Sequence, residues 1–214
     1  MFLTHIDIKN PRVLDLLNYS LNLHRNKWNV EQNNNLLGEL GTDANEYVGD
    51  RYMQKIIDMG TRHTGSPHSA CSYALKPDHY LGKDPQYKKD FQLFSDELMI
   101  ELGVNVNALS QFYPPEGYIG WHNNADAPGY NLIFTWSETG DGWFKYVDEC
   151  GIIHTIYDTK GWSLKAGYFG TYDEDDVCYH AAYTKCWRMT HSFVVERRDK
   201  DFWLDCIEHI ENGE

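Results

Sequence analysis

A mainly β chain with helices gathered ahead of it, an α+β layout built around a barrel or jelly-roll core, is what this 214-residue sequence predicts. Three observations predict it. After Gly103 the apolar spacing changes from three or four residues to two. The runs that follow are short and rich in β-branched or aromatic residues, and turn clusters separate them, such as Pro114-Pro115-Glu116-Gly117 and Thr139-Gly140-Asp141-Gly142. Aromatics make up 14% of the chain, with 15 Tyr and 7 Trp, and such side chains suit half-buried sheet surfaces.

The elements follow in order. Asn10-Pro11 is an N-cap followed by proline at the first helical position, and Val13, Leu14, Leu16, Leu17 and Leu21 give that helix an apolar face. A second helix is expected over 44–59, with Gly60 just past its end. Residues 61–83 are dense in Gly, Pro, Ser and His and read as a long loop or a lid over a site. A third helix starts near Asp84 or Pro85, carries Tyr87, Phe91, Phe94, Leu98 and Leu102 on one face, and stops at Gly103. The runs "VNVNALSQFY", "YIGWH", "YNLIFTW", "GWFKYV", "IIHTIY", "AGYFGTY", "DVCYH" and "WRMTHSFVVE" then supply roughly eight strands, enough for a barrel or jelly roll. The tail "DFWLDCIEHIENG" reads as a closing amphipathic helix. One domain is expected: helical support at 1–103, a β core at 104–196 and a helix at 197–214.

Composition limits the partners. Lys and Arg number 19 against 32 Asp and Glu, a net charge of −13 that repels phosphate backbones, so a nucleic-acid partner is not expected. No stretch approaches a membrane span, and the opening "MFLTHIDIKN" lacks a signal-peptide pattern. Five scattered cysteines without a CxxC pair suit reduced thiols and a cytoplasmic setting.

Chemistry concentrates in two places. His122 and Asn124 stand two apart, so on a strand both side chains leave one face. A metal would need a further ligand from a distant strand, and His180 is available. Two histidines and a carboxylate on one face of non-haem Fe(II) leave room for a bidentate keto acid and O2. Eight residues after His180 comes Arg188, with Thr190 on the same strand face, a pair suited to holding a remote carboxylate. Each residue also has a plainer reading. His191 competes as the distal histidine but points to the opposite strand face. Arg188 could pair with acidic residues at 173–176, and Tyr113 could be a core aromatic. His63, His68 and His79 are solvated loop histidines or substrate contacts, and Trp121, Trp136, Trp143 and Trp162 are sheet-face aromatics, of which Trp121 or Trp136 could line a pocket.

Over residues 104–196 the chain resembles the Fe(II)/2-oxoglutarate-dependent dioxygenases, enzymes on a double-stranded β-helix (jelly-roll) fold. "QFYPPEGYIGWHNN" is similar to the approach to the family's His-X-Asp motif, and "HAAYTKCWRMTHSF" to its distal His and Arg-X-Ser/Thr ending. "NLIFTWSETGDGWFKY" and "LKAGYFGTYDEDDVCYHAA" resemble the strands between. The wording "GWHNNADAPGYN" resembles a phage-encoded branch that writes His-X-Asn, which would place the protein in the cytoplasm of an infected cell. The resemblance implies His122, Asn124 and His180 as Fe(II) ligands, with Tyr113, Arg188 and Thr190 holding 2-oxoglutarate. It implies O2-dependent hydroxylation of an unidentified substrate, with a protein side chain or a small molecule favoured. The neutral Asn124 stands where the family has an aspartate; Asp126, brought round by a bulge, or a water are the alternative third ligands. A nucleic-acid base hydroxylase or demethylase of the same family, and a catalytically silent jelly-roll binding protein, are the rival functions.

Overall fold

The computed structural model describes residues 3–25, 36–59, 67–76, 84–124, 127–170, 177–196 and 199–213. Before the β core come strand β1 (Thr4–Ile6), helix α1 (Pro11–Arg25), strand β2 (Leu36–Leu37), helices α2 (Asn45–Val48) and α3 (Asp50–Asp58), strand β3 (Ala70–Ala74) and helix α4 (Pro85–Leu102). Eight strands follow: β4 (Val106–Tyr113), β5 (Tyr118–His122), β6 (Gly129–Ser137), β7 (Gly142–Val147), β8 (Ile153–Tyr157), β9 (Gly161–Phe169), β10 (His180–Thr184) and β11 (Arg188–Glu196). Helix α5 (Lys200–Asn212) comes after them.

The strands form two antiparallel layers, β1-β9-β6-β11-β4-β3 and β3-β5-β10-β7-β8, and β3 belongs to both. Its Tyr73 and Ala74 pair with β4, while Ala70 and Cys71 pair with β5. This is the jelly roll that the spacing of the apolar runs predicts, in the double-stranded β-helix form that the resemblance implies.

Local chemistry sets the helices as the sequence implied. The Asn10 side chain accepts from the Val13 amide at 3.1 Å, and Asp84 caps α4 by accepting from the amides of Gln86 and Tyr87. Gly103 closes α4 at φ 65°, a left-handed conformation that glycine adopts without strain. Tyr87, Phe91, Phe94, Leu98 and Leu102 are all buried; with α1 and α5 they pack on the outer face of the larger layer, against Phe112, Phe134, Leu164, Met189 and Phe193. A second cluster joins α2 and α3 to the outer face of the smaller layer. A third lies between the layers, with Tyr113, Ile119, Ile133, Phe144 and Phe169.

Three expectations need correction. Segment 61–83 is not all loop, because β3 inside it bridges the two layers; 60–66 and 77–83 lie outside the described residues. The helix expected over 44–59 is two helices, broken at Gly49, whose backbone is extended (φ −78°, ψ 158°). The run "DVCYH" is strand only from His180 onward. No helix among the described residues is long and apolar enough to cross a membrane.

Candidate metal and cosubstrate site

The six residues singled out in the sequence line one cavity of about 870 Å³ between the layers: Tyr113, His122, Asn124, His180, Arg188 and Thr190. How His122 comes to face it is a matter of register. Along β10, His180 pairs with His122 and Ala182 with Ile119, so two steps on one strand oppose three on the other. The extra residue is a bulge in β5. Strict alternation from Ile119, which lines the cavity, would turn His122 outward; the bulge brings it in and leaves Trp121 in the outer cluster. There Trp121 donates its indole N–H to the Val48 carbonyl at 2.9 Å. Neither Trp121 nor Trp136 lines the cavity.

His122 and His180 face each other with ring centroids 4.1 Å apart, and both are buried. The Nδ1 of His122 lies 2.8 Å from the Gly120 carbonyl, and the Nδ1 of His180 lies 2.9 Å from that of Cys178. A carbonyl only accepts, so each Nδ1 carries a proton, and in a neutral ring of this tautomer the lone pair is on Nε2. Ring-nitrogen partners of this kind orient metal-binding histidines. Burial, and then the charge of His122, push the His180 imidazole well below its ordinary value, which keeps it neutral. A neutral imidazole at His180, with the His122 ring facing it, fits a divalent ion such as Fe(II). Among the described residues no group of three or more His, Cys, Asp or Glu side chains could hold a metal ion. Asn124 lines the same cavity and offers a neutral oxygen, while Asp126 lies outside the described residues.

The other end of the cavity is cationic. Arg188 opens β11, fully buried, opposite Tyr113 on β4. Its Nη1 donates to the Thr190 hydroxyl at 2.7 Å, and the guanidinium carbon stands 5.2 Å from the centre of the Tyr113 ring. The Tyr113 hydroxyl donates to Gln111 Oε1 at 2.7 Å; burial pushes its pKa up to about 12, so it stays a neutral donor. The carboxylate partner of Arg188 is Asp158, which accepts from Nε at 2.9 Å; residues 173–176 lie outside the described residues. Asp158 also accepts from Lys165 Nζ at 2.8 Å. Burial alone would raise the Asp158 carboxyl, but the charges of Arg188 and Lys165 outweigh it and hold the group below its usual range.

His191 does not reach the cavity. It lies on the helix side of β11, with Nε2 2.8 Å from the Ser20 hydroxyl and Nδ1 2.9 Å from that of Ser110. His68 lines the cavity; His63 and His79 lie outside the described residues. Sequence reasoning missed Asp158 and Lys165. The one local signal was a lysine inside the apolar run "WSLKAGYF".

Neither a protein-family model nor a curated protein matches the sequence. Among solved structures the chain is similar to a Pseudomonas putida prolyl-4-hydroxylase, at TM-score 0.43 and 13% identity, over 91% of this chain and 92% of that one. It is similar to a full-length Neurospora crassa protein in complex with alpha-KG, at 0.47 and 10%, over 91% and 75%. It is also similar to a Trichoplax adhaerens prolyl hydroxylase in complex with a hypoxia inducible factor peptide, at 0.40 and 12%, over 86% and 93%.

Proposed function

We propose that the protein is an Fe(II)- and 2-oxoglutarate-dependent oxygenase that hydroxylates a protein side chain or a small molecule. One observation carries the reading. One cavity between the layers has two imidazoles at one end and a buried guanidinium, with its hydroxyl partner, at the other. A keto acid with a second carboxylate needs both ends at once.

In this reading His122, His180 and the side-chain oxygen of Asn124 hold the iron. A neutral amide leaves the centre one charge more positive than a carboxylate would. Arg188 and Thr190 take the far carboxylate of 2-oxoglutarate, with the Tyr113 ring as a wall. When bound, Fe(II) with 2-oxoglutarate supplies O2-dependent oxidation of a C–H bond, with succinate and CO2 as the by-products. The protein orients the reactants and excludes water from the cavity. Its net charge of −13 favours a substrate other than nucleic acid.

The test needs no substrate. Anaerobic addition of Fe(II) and then 2-oxoglutarate should give the weak visible charge-transfer absorbance of the chelate. Iron bound without that band would exclude the cosubstrate, and no iron bound at all would favour a silent jelly-roll binding protein.

A further inference from the structure

Behind the cavity, Lys165, Asp158 and Arg188 form a buried triad whose charges do not balance. Lys165 Nζ and Arg188 Nε each donate to a different oxygen of Asp158, at 2.8 and 2.9 Å, and no side chain of the three is more than 2% exposed. Two cations thus face one carboxylate. Burying ions is costly, and a simple Arg–Asp pair would have sufficed to hold β11 against the β8–β9 turn. A further buried cation is explicable if an anion arrives to balance it.

Strand register shows where that charge is directed. Lys165 on β9 pairs with Ile133 on β6, and Ile133 in turn with Ser192 on β11. Ile133, Ser192, Thr190 and Arg188 all line the cavity. Lys165 therefore lies on the inward face of the same layer, one shell behind the guanidinium. Asp158 occupies Nε, the inner edge of the fork, and the Nη1 edge is left with a hydroxyl partner that a carboxylate can share.

We infer that Asp158 and Lys165 are positioning residues for Arg188: Asp158 fixes the guanidinium by its inner edge, and Lys165 offsets the charge of Asp158. That end of the cavity is then one positive charge in excess and selects 2-oxo acids bearing a second carboxylate. The inference rests on the 2-oxoglutarate reading above and adds to it the two residues that set the charge and orientation of Arg188.

Burial, together with Arg188, lowers the Lys165 ammonium to about 8 against the pull of Asp158. The groups facing it are Asp158 from the β8–β9 turn, Arg188 from β11, and His5, its register partner on β1. Burial and then Lys165 push His5 below its ordinary value, so His5 is already neutral where Lys165 titrates. Binding a carboxylate raises the lysine's pKa. Above about pH 8 the free protein must therefore take up a proton to bind, and affinity falls as pH rises.

The experiment compares anaerobic titrations of the iron-loaded protein with 2-oxoglutarate and with 2-oxobutyrate, which lacks the far carboxylate. Both are read by the chelate band, so effects on the metal cancel in the ratio of dissociation constants. Lys165→Met should reduce the preference for 2-oxoglutarate by about tenfold or more, the scale of one nearby charge, and Lys165→Arg should retain it. In the unaltered protein the preference should decline between about pH 7 and 9, and in Lys165→Met it should be flat. An unchanged preference in a folded Lys165→Met, or a flat pH profile in the unaltered protein, overturns the inference while the oxygenase reading stands. The pH series alone decides if the variant does not fold. An unaltered protein that binds iron but neither acid overturns both.

Discussion

At the scale of single residues, His122 and His180 in the cavity and His191 on the helix side of β11 separate metal binding from stability. His122→Ala and His180→Ala should each abolish Fe(II) binding, measured as iron per folded protein. His191→Ala should keep the iron but cost about 1–3 kcal/mol in denaturant unfolding, because Ser20 and Ser110 lose a buried partner. Arg188→Lys keeps the charge and loses the fork. It should weaken 2-oxoglutarate by about 1–3 kcal/mol with iron binding intact, and an unchanged affinity would remove Arg188 from the role. Asn124→Asp should hold Fe(II) at least as tightly as the unaltered protein, since a carboxylate is the harder, charged donor. If its metal affinity and uncoupled 2-oxoglutarate turnover both match the unaltered protein, position 124 does not touch the iron. His122, His180 and Arg188 were legible because a two-residue strand period and a fixed interval suffice to find them. Asp158 was not. It lies 7 residues from Lys165 and 30 from Arg188, and only strand register unites the three.

At the scale of elements, caps and periods foretold α1, α4 and the strands β4 to β8 and β11, because those signals are local, whereas β9 begins ahead of its expected run and β10 runs on from the end of its own. What escaped was decided by neighbours distant in sequence. "ACSYA" is too short, and too deep in turn-forming residues, to declare itself a strand; it becomes one because the edges of β4 and β5 are both there to be filled. The bulge in β5 left no mark on the apolar pattern either, although it decides whether His122 faces the cavity or the helices. Gly120 is its weak point. A Cβ there would stand 3.0 Å from the Ser69 carbonyl oxygen and 3.2 Å from Tyr47 Cβ, and the Gly120 carbonyl receives the His122 Nδ1 proton. Gly120→Ala should therefore cost about 1–3 kcal/mol of stability by overpacking. It should also weaken Fe(II) binding, which a metal titration on the folded variant would show. A stable variant with full metal affinity would mean that the bulge tolerates the methyl and does not aim the ring.

At the scale of the whole molecule, acid should find the metal-free protein vulnerable. Burial, as the largest cause, holds both His180 and His191 well below 6.5 in the fold, whereas the unfolded chain protonates them near that value. The unfolded state therefore binds more protons below about pH 6.5. Stability should be fully present above that pH and fall below it by up to about 1.4 kcal/mol per pH unit for each histidine, as thermal melts at pH 7, 6 and 5 would reveal. Fe(II) should blunt the fall by binding the folded state alone. The strand order also governs how such a chain comes into being. β11 lies between β4 and β6 at the centre of the larger layer, yet it is the last strand among those described. A chain emerging from the ribosome must therefore carry β4 and β6 with open edges through the synthesis of everything up to Arg188. Such non-local closure is slow, and it leaves pairing surfaces exposed to other chains meanwhile. The strand that ends this exposure also brings the guanidinium, so the cationic end of the cavity comes into existence at the moment the layer closes.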